Sequence, residues 1–336
     1  MPALAVADAL RERGAEVVFI GGDRAERTLV PAAGYPFERL AVAGLDRRNP
    51  LRAARALWLA ARAVVRARSL LRAQRIDVVL GGGGYVAGPV ALAALTRRIP
   101  VVLTEADSHL GLTNRLLAPF AARVCLAFPI RGRSGRRYRV TGRPVAPPSA
   151  DRDSARAELG IEPWRRCVLV FGGSLGSRTV NDAALAGLDG AAFRVLHVTG
   201  ARDWPIFGRR PRGPLYDMRE YLDRDAFARA LAASDLVVAR AGGSIFEIAA
   251  YGRPAILVPY PDAAAGHQRG NAEWMERAGA AVVVADDELS GPRLAHEVGL
   301  LIGDATRLAA MARASASLAR PGAADEVATI VLAVAG

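Results

Sequence analysis

The stretch RAGGSIFEIAAYGRPAILVPYP, residues 240–261, decides how the chain reads. The apolar run SDLVVAR leads into it and PAILVPY closes it; between them lie Arg240, Gly242, Gly243, Ser244, Ile245, Phe246 and Glu247. Strand, glycine turn, helix, strand is the repeating unit of a parallel sheet covered on both faces. The residues alone leave two readings of the turn open. Ser244 with Glu247 three positions on makes a capping box, and the glycines only shape the bend. In the other reading the helix start offers amides and a partial positive charge to an anion. Glu247 then looks outward, toward something rich in hydroxyl groups.

Working outward, similar apolar runs fall at 15–22, 77–83, 100–106, 122–128, 167–173, 193–200 and 280–286, with helical patterns between them. The alternation predicts an α/β chain with doubly wound parallel sheets. The segment TGRPVAPPSADRD (141–153) is rich in proline and polar residues and reads as a linker. The 336 residues therefore divide into two domains, 1–146 and 147–320, with a helix over 321–336. Glycine-rich turns end strands at 81–88, 172–176 and 242–243. Ligands of open parallel sheets sit outside the carboxyl ends of strands, so facing glycine-lined edges predict a cleft for a phosphate ester. The opening MPALAVADALRERG reads as an amphipathic helix with Pro2 in its first turn, not as a signal peptide.

The formal charge is +12, and every basic residue other than histidine is arginine. That balance favours an anionic partner. Nucleic acid is disfavoured, because only 6% of residues are aromatic and no binding module declares itself. Cys125 and Cys167 lie in apolar runs and give no disulfide framework. No metal-ligand spacing occurs, and no apolar run reaches the roughly 18–20 residues needed to span a bilayer.

Four motifs remain. GGGGYVAGP (81–89) tempts a nicotinamide reading, with Glu105 and Asp107 closing the next strand, but the spacing Gly82, Gly84, Gly88 is wrong for a dinucleotide fingerprint. Two Asp-x-Asp matches, at Asp151 and Asp223, suggest a metal-dependent sugar transferase or, more simply, helix starts. His267, Gln268 and Asn271 put three hydrogen-bonding side chains on about one helical turn, either as a solvated loop or to read hydroxyls. Over 51–75, Arg52, Arg55, Arg62 and Arg66 recur at helical spacing beside Trp58, which describes an ordinary surface helix or one lying on an anionic membrane.

Taken in order, GGGGYVAGP, LGLTNRLLA (110–118), GGSLGSRTVN (172–181), residues 240–261 and HQRGNAEWMERAGAA (267–281) resemble the MurG family of glycosyltransferases, from Pro2 to about Arg320. The resemblance implies a GT-B fold of two Rossmann-like domains and a C-terminal helix that packs back on the first. It implies inverting transfer of N-acetylglucosamine from UDP-N-acetylglucosamine to the C4 hydroxyl of lipid I, giving lipid II for peptidoglycan, with no metal and no cofactor. The implied location is peripheral, on the anionic cytoplasmic face of the cell membrane. Glu247 is implied to bind the ribose, Ser174 and Gly176 the diphosphate side, Leu222 the uracil, and Gln268 with His267 and Asn271 the sugar. Gly82, Gly83, Gly84, Tyr85, Asp107, Thr113, Asn114 and Arg143 fall on the acceptor side, with Glu105 as candidate base. The chain departs from the family in lacking a first strand and Gly-Gly-Thr-Gly-Gly-His loop, in Thr104-Glu105-Ala106-Asp107 where the family has His-Glu-Gln-Asn, and in Ala146 at a linker arginine. A related UDP-sugar transferase with another lipid acceptor, an inactive paralogue or a truncated form is the alternative.

Overall fold

The computed structural model describes residues 2–23, 26–44, 49–208, 212–263 and 266–336. It divides into two compact units, 1–145 with 320–336 and 146–319. In chain order the first unit holds α1 (Pro2–Arg11), β1 (Phe19–Gly21), α2 (Glu26–Ala32), β2 (Phe37–Arg39), α3 (Pro50–Ala73), β3 (Val79–Gly81), α4 (Gly84–Leu95), β4 (Val101–Glu105), α5 (Leu112–Leu117), β5 (Arg123–Leu126) and β6 (Tyr138–Val140). The second holds α6 (Arg152–Glu158), β7 (Cys167–Phe171), α7 (Arg178–Leu188), β8 (Arg194–Val198), α8 (Trp204–Phe207), β9 (Tyr216–Arg219), α9 (Arg224–Ala233), β10 (Leu236–Ala239), α10 (Ile245–Ala250), β11 (Ala255–Leu257), α11 (His267–Arg277), β12 (Ala281–Val283), α12 (Gly291–Ile302) and α13 (Ala305–Ser317). The last helix, α14 (Ala323–Ala335), belongs to the first unit.

All strand pairs are parallel. The first unit has two sheets, β1-β2 and β3-β4-β5-β6, and the second one sheet in the order β12-β11-β10-β7-β8-β9. In the second sheet, β8 and β9 extend to one side of β7, while β10, β11 and β12 extend to the other. Strand order therefore reverses between β7 and β10, the position at which open α/β sheets bind ligands.

The central strands are apolar on both faces, as a parallel sheet between helices requires. Val168, Val170, Leu236 and Val238 pack with Val180 and Leu188 of α7 and Leu294 and Val298 of α12. In the first unit, α14 lays Val327, Ala328 and Val331 against Val6, Ala9 and Leu10 of α1 and Val102 of β4. Arg13 pairs with Asp325 at 2.8 Å beside this seam.

The sequence reading missed β2, β6 and β9. Each is an edge strand of its sheet, and their sequences FER, YRV and YDMR are polar or charged, as exposed edges are. Both Asp-x-Asp motifs are helix starts. Asp151 accepts from Ser154 N at 3.0 Å and Asp223 from Ala226 N at 2.8 Å, so each caps its helix.

Candidate active site

In the second unit the turns after β7 and β10 stand side by side at the reversal of strand order. The first runs through Gly172, Gly173, Ser174, Leu175 and Gly176 into Ser177, which caps α7. Gly176 has a φ of 88°, and a Cβ there would run into the backbone oxygen of Thr199, so glycine is obligatory. Ser174 and Leu175 are exposed at the tip.

The second turn runs from Arg240 to Ser244. The capping-box reading fails here: Ser244 stands at the N-cap of α10 but makes no side-chain cap bond. A Cβ on Gly242 would meet nothing within 4 Å, so neither packing nor a left-handed φ demands that glycine. It leaves a bare backbone face at the sheet edge. Ile245 and Phe246 point inward, at 0% and 4% exposure, and Phe246 packs on Trp274. They can offer a ligand only main-chain groups. Glu247 is half-buried.

Arg240 ties these turns together. It is 8% exposed. Its Nε donates to Ser177 Oγ at 2.8 Å and its Nη1 to the carbonyls of Val258 and Pro259 at 3.1 and 3.3 Å. An ion pair to Asp286 at 2.5 Å completes the clasp. One planar guanidinium thus joins the exits of β7, β10 and β11, a use of its fixed fork that a lysine could not make.

The third turn follows β11. Gln268 on α11 accepts from Tyr260 N at 3.0 Å. Asn271 is 1% exposed and donates Nδ2 to Ala241 O at 3.1 Å, while its Oδ1 is buried without a partner. His267 is half-buried beside them. Leu222, after β9, is half-buried and lines a small internal cavity with Leu196, Val198 and Ala226.

Behind the β7 turn lies a polar chain that the sequence reading did not find. Asn181 Nδ2 donates to Thr199 O at 3.0 Å and to Asp203 at 2.9 Å. Both partners are acceptors, so Asn181 Oδ1 must face His197 Nε2, 3.0 Å away. Nε2 therefore carries the imidazole proton, and Nδ1 accepts from Tyr216 Oη at 2.8 Å. Burial, with a smaller contribution from Arg212, lowers His197 to about 3, so the ring is neutral. The available signal was a histidine in the otherwise apolar strand RVLHV.

In the first unit, Gly83 and Gly84 have φ of 79° and 77° and deliver the chain from β3 into α4, which no side chain caps. Tyr85 is 53% exposed. The loop after β4 is built on Glu105, 7% exposed, whose carboxylate accepts from Ala106 N, Asp107 N, Gly111 N and Asn114 Nδ2. Thr113 Oγ1 donates to Gly84 O at 3.3 Å, joining this loop to the glycine turn. Asp107 and Arg143 are half-buried. On α3, Arg55, Trp58, Arg62 and Arg66 are exposed, and Arg62 lies 4.7 Å over the Trp58 ring. The side chain of Arg52 lies outside what the structure describes. Among the described residues, no helix is long and apolar enough to cross a membrane.

The chain matches the glycosyltransferase family 28 N-terminal domain over residues 1–126 and the family's C-terminal domain over 167–327. It is 43% identical to the UDP-N-acetylglucosamine–N-acetylmuramyl-(pentapeptide) pyrophosphoryl-undecaprenol N-acetylglucosamine transferase of Moorella thermoacetica, covering 98% of this chain and 94% of that one. The protein of the same name from Rubrobacter xylanophilus is 41% identical, covering 98% of each chain. Among solved structures, Acinetobacter baumannii MurG superposes with a TM-score of 0.78 at 26% identity, over 99% of this chain and 95% of that one.

Proposed function

Because the chain belongs to glycosyltransferase family 28, we propose that it transfers N-acetylglucosamine from UDP-N-acetylglucosamine to the C4 hydroxyl of the muramyl sugar of lipid I, giving lipid II for peptidoglycan. The observation that carries this reading is the pair of glycine turns at the reversal of strand order in the second unit, beside Glu247.

The donor lies over those turns. Main-chain N–H groups of Gly173–Leu175, in a turn closed by Gly176 N donating to Gly173 O at 3.0 Å, and of the Gly242–Ser244 segment face the diphosphate. Glu247 accepts from the ribose hydroxyls, and Leu222 flanks the uracil. Gln268, His267 and Asn271 read the sugar, and the unpaired Oδ1 of Asn271 suits a hydroxyl donor. The acceptor hydroxyl attacks the anomeric carbon from the face opposite UDP. The new C–O bond forms as the bond to the diphosphate breaks, the configuration inverts and the hydroxyl proton passes to a base. The developing charge on UDP meets donors fixed before reaction, which costs no reorganisation.

The acceptor falls to the first unit, at the Gly82–Gly84 turn with Tyr85, Asp107, Thr113, Asn114 and Arg143. Its lipid end calls for a membrane surface, and α3 offers one. Arg55, Arg62 and Arg66 attract anionic headgroups while Leu57 and Trp58, 63% and 56% exposed, enter the interface. On this reading the enzyme works as a peripheral protein at the cytoplasmic face of the membrane.

The test is UDP release from UDP-N-acetylglucosamine with a lipid I analogue, and donor titration of Glu247→Ala. Losing hydrogen bonds to a charged carboxylate is worth about 1.5–3 kcal/mol, so donor affinity should fall roughly 10- to 150-fold. Equal affinity in both proteins removes Glu247 from the site. Turnover only with a different lipid-linked sugar moves the chain to another acceptor within the family.

A further inference from the structure

We infer that Glu105 is a positioning residue and not the proton acceptor, an inference that rests on the transferase reading above. A carboxylate offers about four lone-pair directions, two on each oxygen. At Glu105 the protein fills all of them. Oε1 accepts from Ala106 N at 3.0 Å and Asp107 N at 3.2 Å; Oε2 accepts from Gly111 N and Asn114 Nδ2 at 2.8 and 2.9 Å. The residue is 7% exposed. A general base must bring an open lone pair within hydrogen-bond reach of the proton it removes. A proton arriving at Glu105 would displace one of these bonds and set an O–H against an N–H.

What the carboxylate does instead is close the loop 106–111. It holds the first two amides after β4 and the amide of Gly111, where the chain enters α5. It also fixes Asn114. The Nδ2 of Asn114 is shared between Glu105 and Thr104 O, at 2.9 Å each. Both partners are acceptors, so the amide orientation is decided, and Oδ1 is turned away from them. That oxygen is buried and unpaired, on a residue only 2% exposed. It lies at the glycine turn: a Cβ on Gly83 would stand 3.5 Å from Asn114 Nδ2 and 4.0 Å from Oδ1. Glu105 therefore sets the acceptor-side loop and presents Asn114 Oδ1 to the Gly82–Gly84 turn, where a ligand hydroxyl or N–H can supply the missing donor.

Two variants separate anchor from base. Glu105→Gln keeps an acceptor for two of the four donors but places an amide N–H against Gly111 N and Asn114 Nδ2. Gly111→Pro attacks the anchor from the other side: its φ of −58° suits proline, but the ring removes the N–H and sets Cδ against Oε2 in its place. Each is assayed for acceptor KM, for kcat against pH, and for amide exchange over 106–114. An anchor predicts that both variants raise acceptor KM at least fivefold and speed exchange in the loop at least tenfold. The limbs of the kcat profile stay where they are, and kcat in Glu105→Gln falls less than about tenfold. The inference is overturned if Glu105→Gln loses the roughly 10²- to 10⁴-fold of a missing base, with the acidic limb gone and KM and exchange unchanged. A wild type that transfers nothing would fell the transferase reading, and the exchange measurement would still decide whether Glu105 holds the loop.

Discussion

Arg240 and Glu247 are seven positions apart, and the sequence offers both as ligand contacts. The guanidinium of Arg240 is spent on Ser177, two carbonyls and Asp286. Deleting it strips the charged donor from Ser177 Oγ, two carbonyls and Asp286, which keeps only Thr179 Oγ1 at 3.4 Å, and losing hydrogen bonds to a charged group costs about 1.5–3 kcal/mol. Arg240→Ala should therefore lower the thermal midpoint by several degrees in a melting experiment, where Ser174→Ala at the exposed tip of the neighbouring turn should leave it nearly unchanged. If the two melt alike, Arg240 is no clasp. His197 makes a second prediction at this scale. Its folded value of about 3 lies well below the ordinary 6.5, because burial penalises the charged ring. Above 6.5 neither state binds the proton. Below 6.5 the unfolded chain binds it and the fold does not, so stability is lost as pH falls toward 3, by about 1.4 kcal/mol per pH unit. Denaturant titrations should show His197→Gln with a shallower loss across that window than the wild type. A parallel loss in both would place the acid sensitivity elsewhere. Neither role was legible in the sequence: the partners of His197 lie on other elements, and only their packing reveals that the ring must stay neutral.

At the scale of elements, the sequence reads well where physics is local. All nine apolar runs became strands, because a strand covered on both faces must be apolar throughout. The three missed strands are edges, where one side of the ladder meets solvent and arginine is tolerated. Helix starts at Asp151 and Asp223 were legible for the same local reason. The sequence also offers a capping box at Ser244 that the structure does not form, since whether a serine turns back onto its helix depends on the turn that precedes it. Helix α3 shows the limit of periodicity. Its inward face is Ala56, Ala63, Ala67 and Leu71, all at most 4% exposed. Alanine lets α3 sit close against its neighbours and leaves the larger apolar residues outside: Leu57, Trp58 and Val65 are each more than half exposed. A helix serving only as a covering layer would bury these and expose alanine. Co-sedimentation with vesicles tests the consequence. Arg55→Gln, Arg62→Gln and Arg66→Gln together remove about 1 kcal/mol each of attraction to an anionic surface, so partitioning should fall about a hundredfold on anionic vesicles and little on neutral ones. Identical binding of wild type to both vesicle types would end the proposal.

At the scale of the whole molecule, the charge of +12 and the two units make one further expectation concrete. Two parallel-sheet units in one chain have equivalent strand exits, so fold alone does not say which ligand goes where. The local chemistry does. The second unit has its turns at a reversal of strand order, an uncapped start to α10, a clasping arginine and a half-buried glutamate, a set suited to a nucleoside diphosphate. The first unit has an uncapped α4, the Gly83–Gly84 bend and a loop locked by its own carboxylate, with exposed apolar and basic residues on α3. Hydrogen exchange on the intact chain should therefore respond in two separate places. UDP-N-acetylglucosamine alone should slow exchange at 172–177, 240–248 and 266–271 and leave 82–87 and 105–114 at their unliganded rates. A water-soluble acceptor analogue should do the reverse. Raising ionic strength toward 1 M shortens the screening length to about 3 Å; on the proposed reading it should weaken binding to anionic vesicles far more than either protection pattern, because ligands held by the turns would be met at contact distance. Donor protection appearing in the 82–114 region would mean that the two units have been assigned the wrong way round.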